Sequence, residues 1–417
     1  MQKIISSFLL LLSLFILFLS MSKKCLSFLC QYPPYCISSE KMPQMKTSKK
    51  GNSFSLPAPI NKPQQLHAKA YCLMEGKSNR VLLGKNYNQK LPMASTTKIM
   101  TCILALEHAN LSDKVTVSSY AASMPDVQLN MIAGDHFYLK DLLYSLMLAS
   151  HNDTAVAIAE HIGKSVKGFA SLMNEKAQEL GLSHTHFVTP NGLDDNKHYT
   201  TAKELCLLAN YAMQNKKFRS IIATPSHQFQ NCEKSRSYQV TNHDAFLTGY
   251  QGALGIKTGF TGNAGYCFCG AAKRNGMLLL SSVLACGWPP HKSYKWMDTK
   301  ALMDYGFHSF QIVTLPRADI PKKLPVTKGN KCAVAIEVIE KENLRLPLQS
   351  ADTLTHQLKF PKKLTAPIRK NDILGYENYY LNGRLIYQIP IVAKENVTKR
   401  NLSYYQKIVC DFFFRFL

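Results

Sequence analysis

Lys98 is the position that most constrains this chain. It stands at the head of an apolar run, with Ile99, Met100, Ile103 and Leu104 following it. Their three- and four-residue spacing predicts a helix over about Ser95–His108. A helix of this kind has to be buried, and it takes an ammonium group into the interior with it. Burial disfavours the charged form of a lysine, which must find partners or give up its proton. Ser95 stands three positions earlier, and residues three apart on a helix share a face. A serine hydroxyl is a weak nucleophile until an adjacent base takes its proton. A lysine that has lost its charge through burial can be that base. The helix N-terminus also favours negative charge developing at Ser95. The Ser-x-x-Lys spacing alone is a weak signal, since Ser20–Lys23 and Ser38–Lys41 match it as well. Neither of those opens a long apolar helix.

Two further short motifs follow in order. Ser150-His151-Asn152 precedes an apolar helix. Taken alone it reads as a helix N-cap, but Ser150 and Asn152 alternate, so an extended turn brings both to one side. There the hydroxyl can relay a proton and the amide can hold a peptide backbone, while His151 points away. Lys257-Thr258-Gly259 runs into Phe260-Thr261-Gly262. Taken alone it reads as a β-turn. At a strand edge, Lys257 and Thr258 suit a carboxylate, and Gly259 lets another backbone approach. The backbone N–H groups of Ser95 and Phe260 can then serve as an oxyanion hole. The three motifs in this order outweigh the bland reading of each.

The rest of the chain supplies the frame. Lys3 and the run Phe8–Leu19, broken only by Ser13, fit a signal peptide over residues 1–30, with an uncleaved anchor as the alternative. Residues 31–60 are rich in Pro, Ser and Lys and read as a linker. Residues 61–310 show strand-like runs at both ends, Ala68–Met74 with Val81–Leu83, then Cys267–Ala272 and Leu278–Cys286. Helices are expected between them over Leu139–Leu148, Thr154–Ile162, Phe169–Leu180 and Ala202–Met213, with another over Tyr294–Tyr305. This is an α/β (α+β) domain with helices packed on a β-sheet. Residues 311–395 alternate in short runs, and Asn382-Gly383 marks a two-residue hairpin, so a small all-β domain is expected. Residues 396–417 form an amphipathic helix, with Tyr405, Ile408, Phe412 and Phe416 on one face and Arg400, Lys407 and Arg415 on another. The formal net charge of +23 calls for an anionic partner. No zinc-finger, RNP-like or Arg-rich motif points to nucleic acid. The 12 cysteines show no metal spacing and read mostly as buried thiols.

From about Asn86 onward the chain resembles the low-molecular-weight penicillin-binding proteins, the serine D-alanyl-D-alanine carboxypeptidases of the SxxK acyltransferases. The matching stretches are Pro92–Thr101, Ser150–Ala155, Leu180–Leu193, His198–Leu205, Gly255–Gly265 and Asp304–Phe307. The resemblance implies a β-lactamase/transpeptidase-like domain, a small β-sandwich domain and a C-terminal membrane-anchor helix. It implies that Ser95, Lys98 and Ser150 are catalytic and that Asn152, Lys257, Thr258, Gly259 and Phe260 bind substrate. Ser95 would attack the penultimate D-Ala carbonyl of peptidoglycan stem pentapeptides, and water would hydrolyse the acyl-enzyme, without metal or cofactor. β-Lactam antibiotics would trap Ser95. The implied location is peripheral, at the periplasmic face of the bacterial inner membrane.

Two departures and three rivals accompany this reading. Lys295 stands where the family often has Arg and lacks the bidentate fork. His151 replaces a usually small residue. A serine β-lactamase is disfavoured, because no Glu between Asn152 and Lys257 has Asn at the fourth following position. D,D-endopeptidase action stays open. A catalytically silent wall-binding protein is disfavoured by the intact Ser95, Lys98 and Lys257.

Overall fold

The computed structural model describes residues 56–58, 60–339 and 343–414. The expected signal peptide and nearly all of the expected linker lie outside these residues. The described chain divides into two compact units.

The larger unit ends at Thr314 and takes back Arg345–Ala351. Its centre is a five-stranded antiparallel sheet of β1 (Ala70–Glu75), β2 (Val81–Lys85), β3 (Ala253–Thr261), β4 (Gly265–Arg274) and β5 (Met277–Leu284), in the order β2-β1-β5-β4-β3. The β1–β2 turn closes on Glu75, whose carboxylate accepts from Lys77 N (3.0 Å), Ser78 N (2.8 Å) and Ser78 Oγ (2.6 Å). Every residue of β1 is buried, because both faces of the sheet are covered. Cys72 and Met74 enter a core shared with α1 (Lys98–His108), α2 (Asn152–Gly163), α3 (Val166–Glu179) and α4 (Ala202–Ala212). Tyr71 and Leu73 enter a second core with Leu302 and Met303 of α5 (Tyr294–Ser309). The two-residue alternation of a strand makes this division.

Two local expectations change. The helix expected from Ser95 begins three residues later, because Ala94–Thr97 forms a 3₁₀ turn. The segment expected as one helix over Leu139–Leu148 is helical over Leu139–Tyr144, then widens into a π-turn over Ser145–Ala149. Two antiparallel strand pairs were not expected, Ser226–Gln230 with Ser237–Thr241 and Lys114–Thr116 with His136–Tyr138. A strand edge was expected at Lys257–Gly259, and β3 supplies it over the longer span Ala253–Thr261. The glycines of β3 weaken its strand signature.

The smaller unit holds Leu315–Leu344 and the chain from Asp352. It is all-β up to its last helix, with β6 (Lys323–Thr327), β7 (Ala333–Val338), β8 (Leu354–Lys359), β9 (Leu364–Thr365), β10 (Ile373–Leu381) and β11 (Arg384–Ala393). They hydrogen-bond as one continuous sheet, β8-β10-β11-β7-β6-β9, around a core that includes Leu324, Val334, Leu374 and Ile391. Asn382 and Gly383 have φ of 50° and 77°, the two positive values that a type I′ hairpin requires. Gln311–Thr314 pairs with Arg345–Leu348, and both strands belong to the larger unit, although both fall inside the expected 311–395 domain. The terminal helix, α6, spans Leu402–Phe414.

Candidate active site

The Ser95 turn is held in a costly conformation. Ala94 has a φ of 48°, a left-handed value that costs a non-glycine residue about 1–2 kcal/mol. Thr96 Oγ1 donates to Met93 O (2.6 Å) and Thr97 Oγ1 to Ala94 O (2.8 Å). His198 fixes Thr97 in turn. Its Nδ1 accepts from Val188 N (2.9 Å) and Thr189 N (3.3 Å). The proton therefore sits on Nε2, which lies 2.8 Å from Thr97 Oγ1. Burial pushes the His198 imidazole down to about 4, so it stays neutral. Gly192 closes the turn from outside. It has a φ of 85°, and a Cβ there would lie 2.0 Å from Ala94 O.

Lys98 is completely buried. Its Nζ lies 2.9 Å from Ser95 Oγ, 2.9 Å from Asn152 Oδ1 and 2.7 Å from Asn191 O. Burial lowers its pKa well below the ordinary lysine value, and the neighbouring Lys257 charge lowers it further, against a smaller opposing effect of Asp153. A neutral amine has two N–H donors and one lone pair. In that form Lys98 can donate to the two carbonyl oxygens and present its lone pair to Ser95 Oγ, whose own hydroxyl is within 3.3 Å of Asn191 O.

Asn152 is tied on its other side. Its Nδ2 donates to Pro125 O (3.1 Å) and Asp126 O (3.0 Å). Asp153 is buried and accepts from Leu129 N (3.1 Å), Met131 N (3.3 Å) and Thr154 N (2.7 Å). The start of α2 thus fastens the 125–131 loop beside the site. Ser150 is left-handed, with φ 71° and ψ 29°, and its hydroxyl has no hydrogen-bond partner among the described residues.

The third wall is β3, the last strand in the sheet order, so its outer edge is unpaired in that sheet. Lys257 and Gly259 share one face of it. A Cβ on Gly259 would meet Ser95 N at 2.8 Å and Ala94 Cβ at 3.0 Å, so glycine is what allows the strand to lie against the Ser95 turn. Lys257 is 2% exposed, and its Nζ donates to Thr258 O at 3.2 Å. Burial brings it down to about 7, opposed by the negative charge of Asp244. Phe260 is exposed and lies against Tyr266, with ring centroids 4.6 Å apart.

Comparison with known proteins fits this geometry. The family model for D-alanyl-D-alanine carboxypeptidase matches residues 58–286, and that for the penicillin-binding protein 5 C-terminal domain matches residues 310–399. The chain belongs to the D-alanyl-D-alanine carboxypeptidase family. It is 30% identical over 342 residues to the D-alanyl-D-alanine carboxypeptidase DacF of Bacillus subtilis, covering 80% of this chain and 86% of that one. It is 29% identical to DacC of Escherichia coli over 348 residues, 79% of this chain and 84% of that one. Penicillin-binding protein 5 of Haemophilus influenzae superposes with a TM-score of 0.69 at 26% identity, over 82% of this chain and 100% of that one. The Streptomyces K15 DD-transpeptidase superposes with a TM-score of 0.56 at 32% identity, over 60% of this chain and 99% of that one. The protein is a serine-type D-alanyl-D-alanine carboxypeptidase. Its family acts on peptidoglycan peptides and binds β-lactams.

Within this carboxypeptidase the two departures have definite surroundings. His151 is half-buried, with its Nδ1 2.8 Å from Ser145 Oγ, and burial brings it down to about 4. Lys295 Nζ donates to Lys292 O (2.7 Å) and lies 4.6 Å from the Tyr266 ring centroid. Sequence reasoning gave Asn191, Gly192, His198 and Asp244 no role. The Pro190-Asn191-Gly192 turn was visible in the sequence, but nothing local says that its carbonyl meets a lysine 93 positions earlier.

Proposed function

We propose that Ser95 is the nucleophile and Lys98 its general base, in the removal of terminal D-Ala from peptidoglycan stem pentapeptides. The observation that carries this reading is the set of three neighbours around Lys98 Nζ, two carbonyl oxygens and the Ser95 hydroxyl. Lys98 takes the Ser95 proton as Oγ bonds to the penultimate D-Ala carbonyl carbon. The oxyanion accepts from the backbone N–H groups of Ser95 and Phe260. As the C–N bond breaks, a proton passes through Lys98 and Ser150 to the departing D-Ala nitrogen. Water then attacks the Ser95 ester and returns the shortened peptide. Lys257 and Thr258 hold the terminal carboxylate of the substrate, and the substrate backbone pairs along the β3 edge with Gly259 and Asn152 nearby. No step calls on a metal or cofactor.

The test is incubation with a stem pentapeptide, followed by mass spectrometry of the products. Loss of one alanine, together with penicillin labelling that maps to Ser95, supports the reading. Cleavage confined to a cross-linked dimer would replace it with endopeptidase action.

Export and membrane attachment belong to the same proposal. The N-terminal run acts as a signal peptide, and α6 holds the mature enzyme at the outer face of the inner membrane as a peripheral protein. Leu402, Tyr405 and Val409 of α6 are 74%, 44% and 48% exposed, an apolar face left uncovered. No helix among the described residues is long and apolar enough to cross a membrane.

A further inference from the structure

Asp244 is a buried carboxylate to which the mechanism above gives no role. It is 7% exposed. One oxygen, Oδ1, accepts from Phe246 N at 2.9 Å and caps the short helix Ala245–Gly249, which packs on β3. The other, Oδ2, is buried with no hydrogen-bond partner among the described residues. A carboxylate oxygen left this way is expensive unless a nearby cation offsets it. The cations in electrostatic reach are Lys257 on β3 and Lys295 on α5. Lys257 needs such a counter-charge, since it is fully enclosed and has one acceptor among the described residues, Thr258 O.

We propose that Asp244 is a positioning residue that keeps Lys257 charged for the substrate carboxylate and, through that charge, keeps Lys98 available as the base. This rests on the roles assigned above to Lys98 and Lys257. The groups that feel Lys257 are Lys98, His151 and His243. The acid that opposes burial at Lys98 is Asp153, and the one that does so at Lys257 is Asp244. Burial raises the Asp244 carboxyl to about 7, so the acid and Lys257 titrate as a pair. The two lysines are thus set apart in charge by having different neighbours. Loss of the negative charge lowers the Lys257 pKa, so Lys257 becomes neutral at lower pH. A less charged Lys257 depresses Lys98 less, so Lys98 becomes protonated at higher pH.

The experiment is the pH profile of Ser95 acylation by a carboxylate-bearing penicillin, comparing wild type with Asp244→Asn. Asparagine keeps the Oδ1 cap. The alkaline limb is expected to move down by about one pH unit and the acid limb to move up, narrowing the profile from both sides. A profile of unchanged width, with the rate lowered evenly or not at all, would leave Asp244 a helix cap and overturn the proposal. Lys257→Arg supplies a second check that does not depend on the asparagine variant folding. Its cation cannot deprotonate in this range, so the alkaline limb should disappear. A limb that stayed in place would belong to another group and would sink the proposal. Failure of wild type to label at Ser95 would instead overturn the catalytic reading itself.

Discussion

Lysines in the two units do opposite things. In the larger unit Lys98 and Lys257 are enclosed, 0% and 2% exposed, and burial drives both below the ordinary lysine range. In the smaller unit Lys331 pairs with Glu395, and Lys394 lies 3.7 Å from Glu337, with both lysines exposed and both glutamates partly exposed. Residue type and charge are the same in the two places, so environment makes the difference. Removing an ammonium from water changes its protonation and makes chemistry available, whereas leaving it in water makes it a weak, salt-screened contact. The positive charge of this chain is therefore not one property with one purpose.

The largest expected effect is at the buried end of this contrast. Ser95→Ala should abolish covalent labelling by penicillin, and a labelled peptide mapping elsewhere would remove the site from the Lys98 cluster. Lys98→Arg keeps the cation but cannot deprotonate usefully. Acylation should fall on the order of 10²–10⁴-fold, and a rate within a few-fold of wild type would show that burial had not made Lys98 a base. Gly192→Ala tests the frame around them. It puts a Cβ 2.0 Å from Ala94 O at a φ of 85°, so thermal unfolding should register a loss of roughly 1–3 kcal/mol, with slower acylation.

The exposed end should respond differently. Truncation after Val397 should release the mature protein from anionic liposomes in a flotation assay while leaving penicillin acylation intact. A truncated chain that still floated would shift the anchor away from α6. The smallest effect is expected for Lys394→Ala, where an exposed pair is lost. Stability should change by less than about 1 kcal/mol, and a larger loss in a denaturant titration would mean that the smaller unit also depends on its ion pairs.

Most of the frame was legible from local patterns. The apolar spacing after Lys98 marked α1, and Asn382-Gly383 marked its hairpin. The failures were local as well. The Ser95 turn is 3₁₀ rather than α, because Ala94 takes a left-handed conformation that its sequence neighbours do not request. The extent of β3 beyond the Lys257–Gly259 edge was not legible, because Gly255 and Gly259 carry no side chain for a strand pattern to register. Gly255 has a φ of 112°, and Gly259 is required for close approach to Ser95.

The sequence by itself determined which residue types were present for acyl transfer and, through helical spacing, that Ser95 and Lys98 share a face. Tertiary structure alone decided which groups complete the site. Asn152 and Asn191 reach Lys98 from 54 and 93 positions away, and Asp244, whose charge is felt at Lys257, caps a separate short helix. Periodicity and turn chemistry act over one or two turns of chain. Burial and charge act through space, and the protonation of Lys98 and Lys257 is set there, by neighbours that chain order does not reveal.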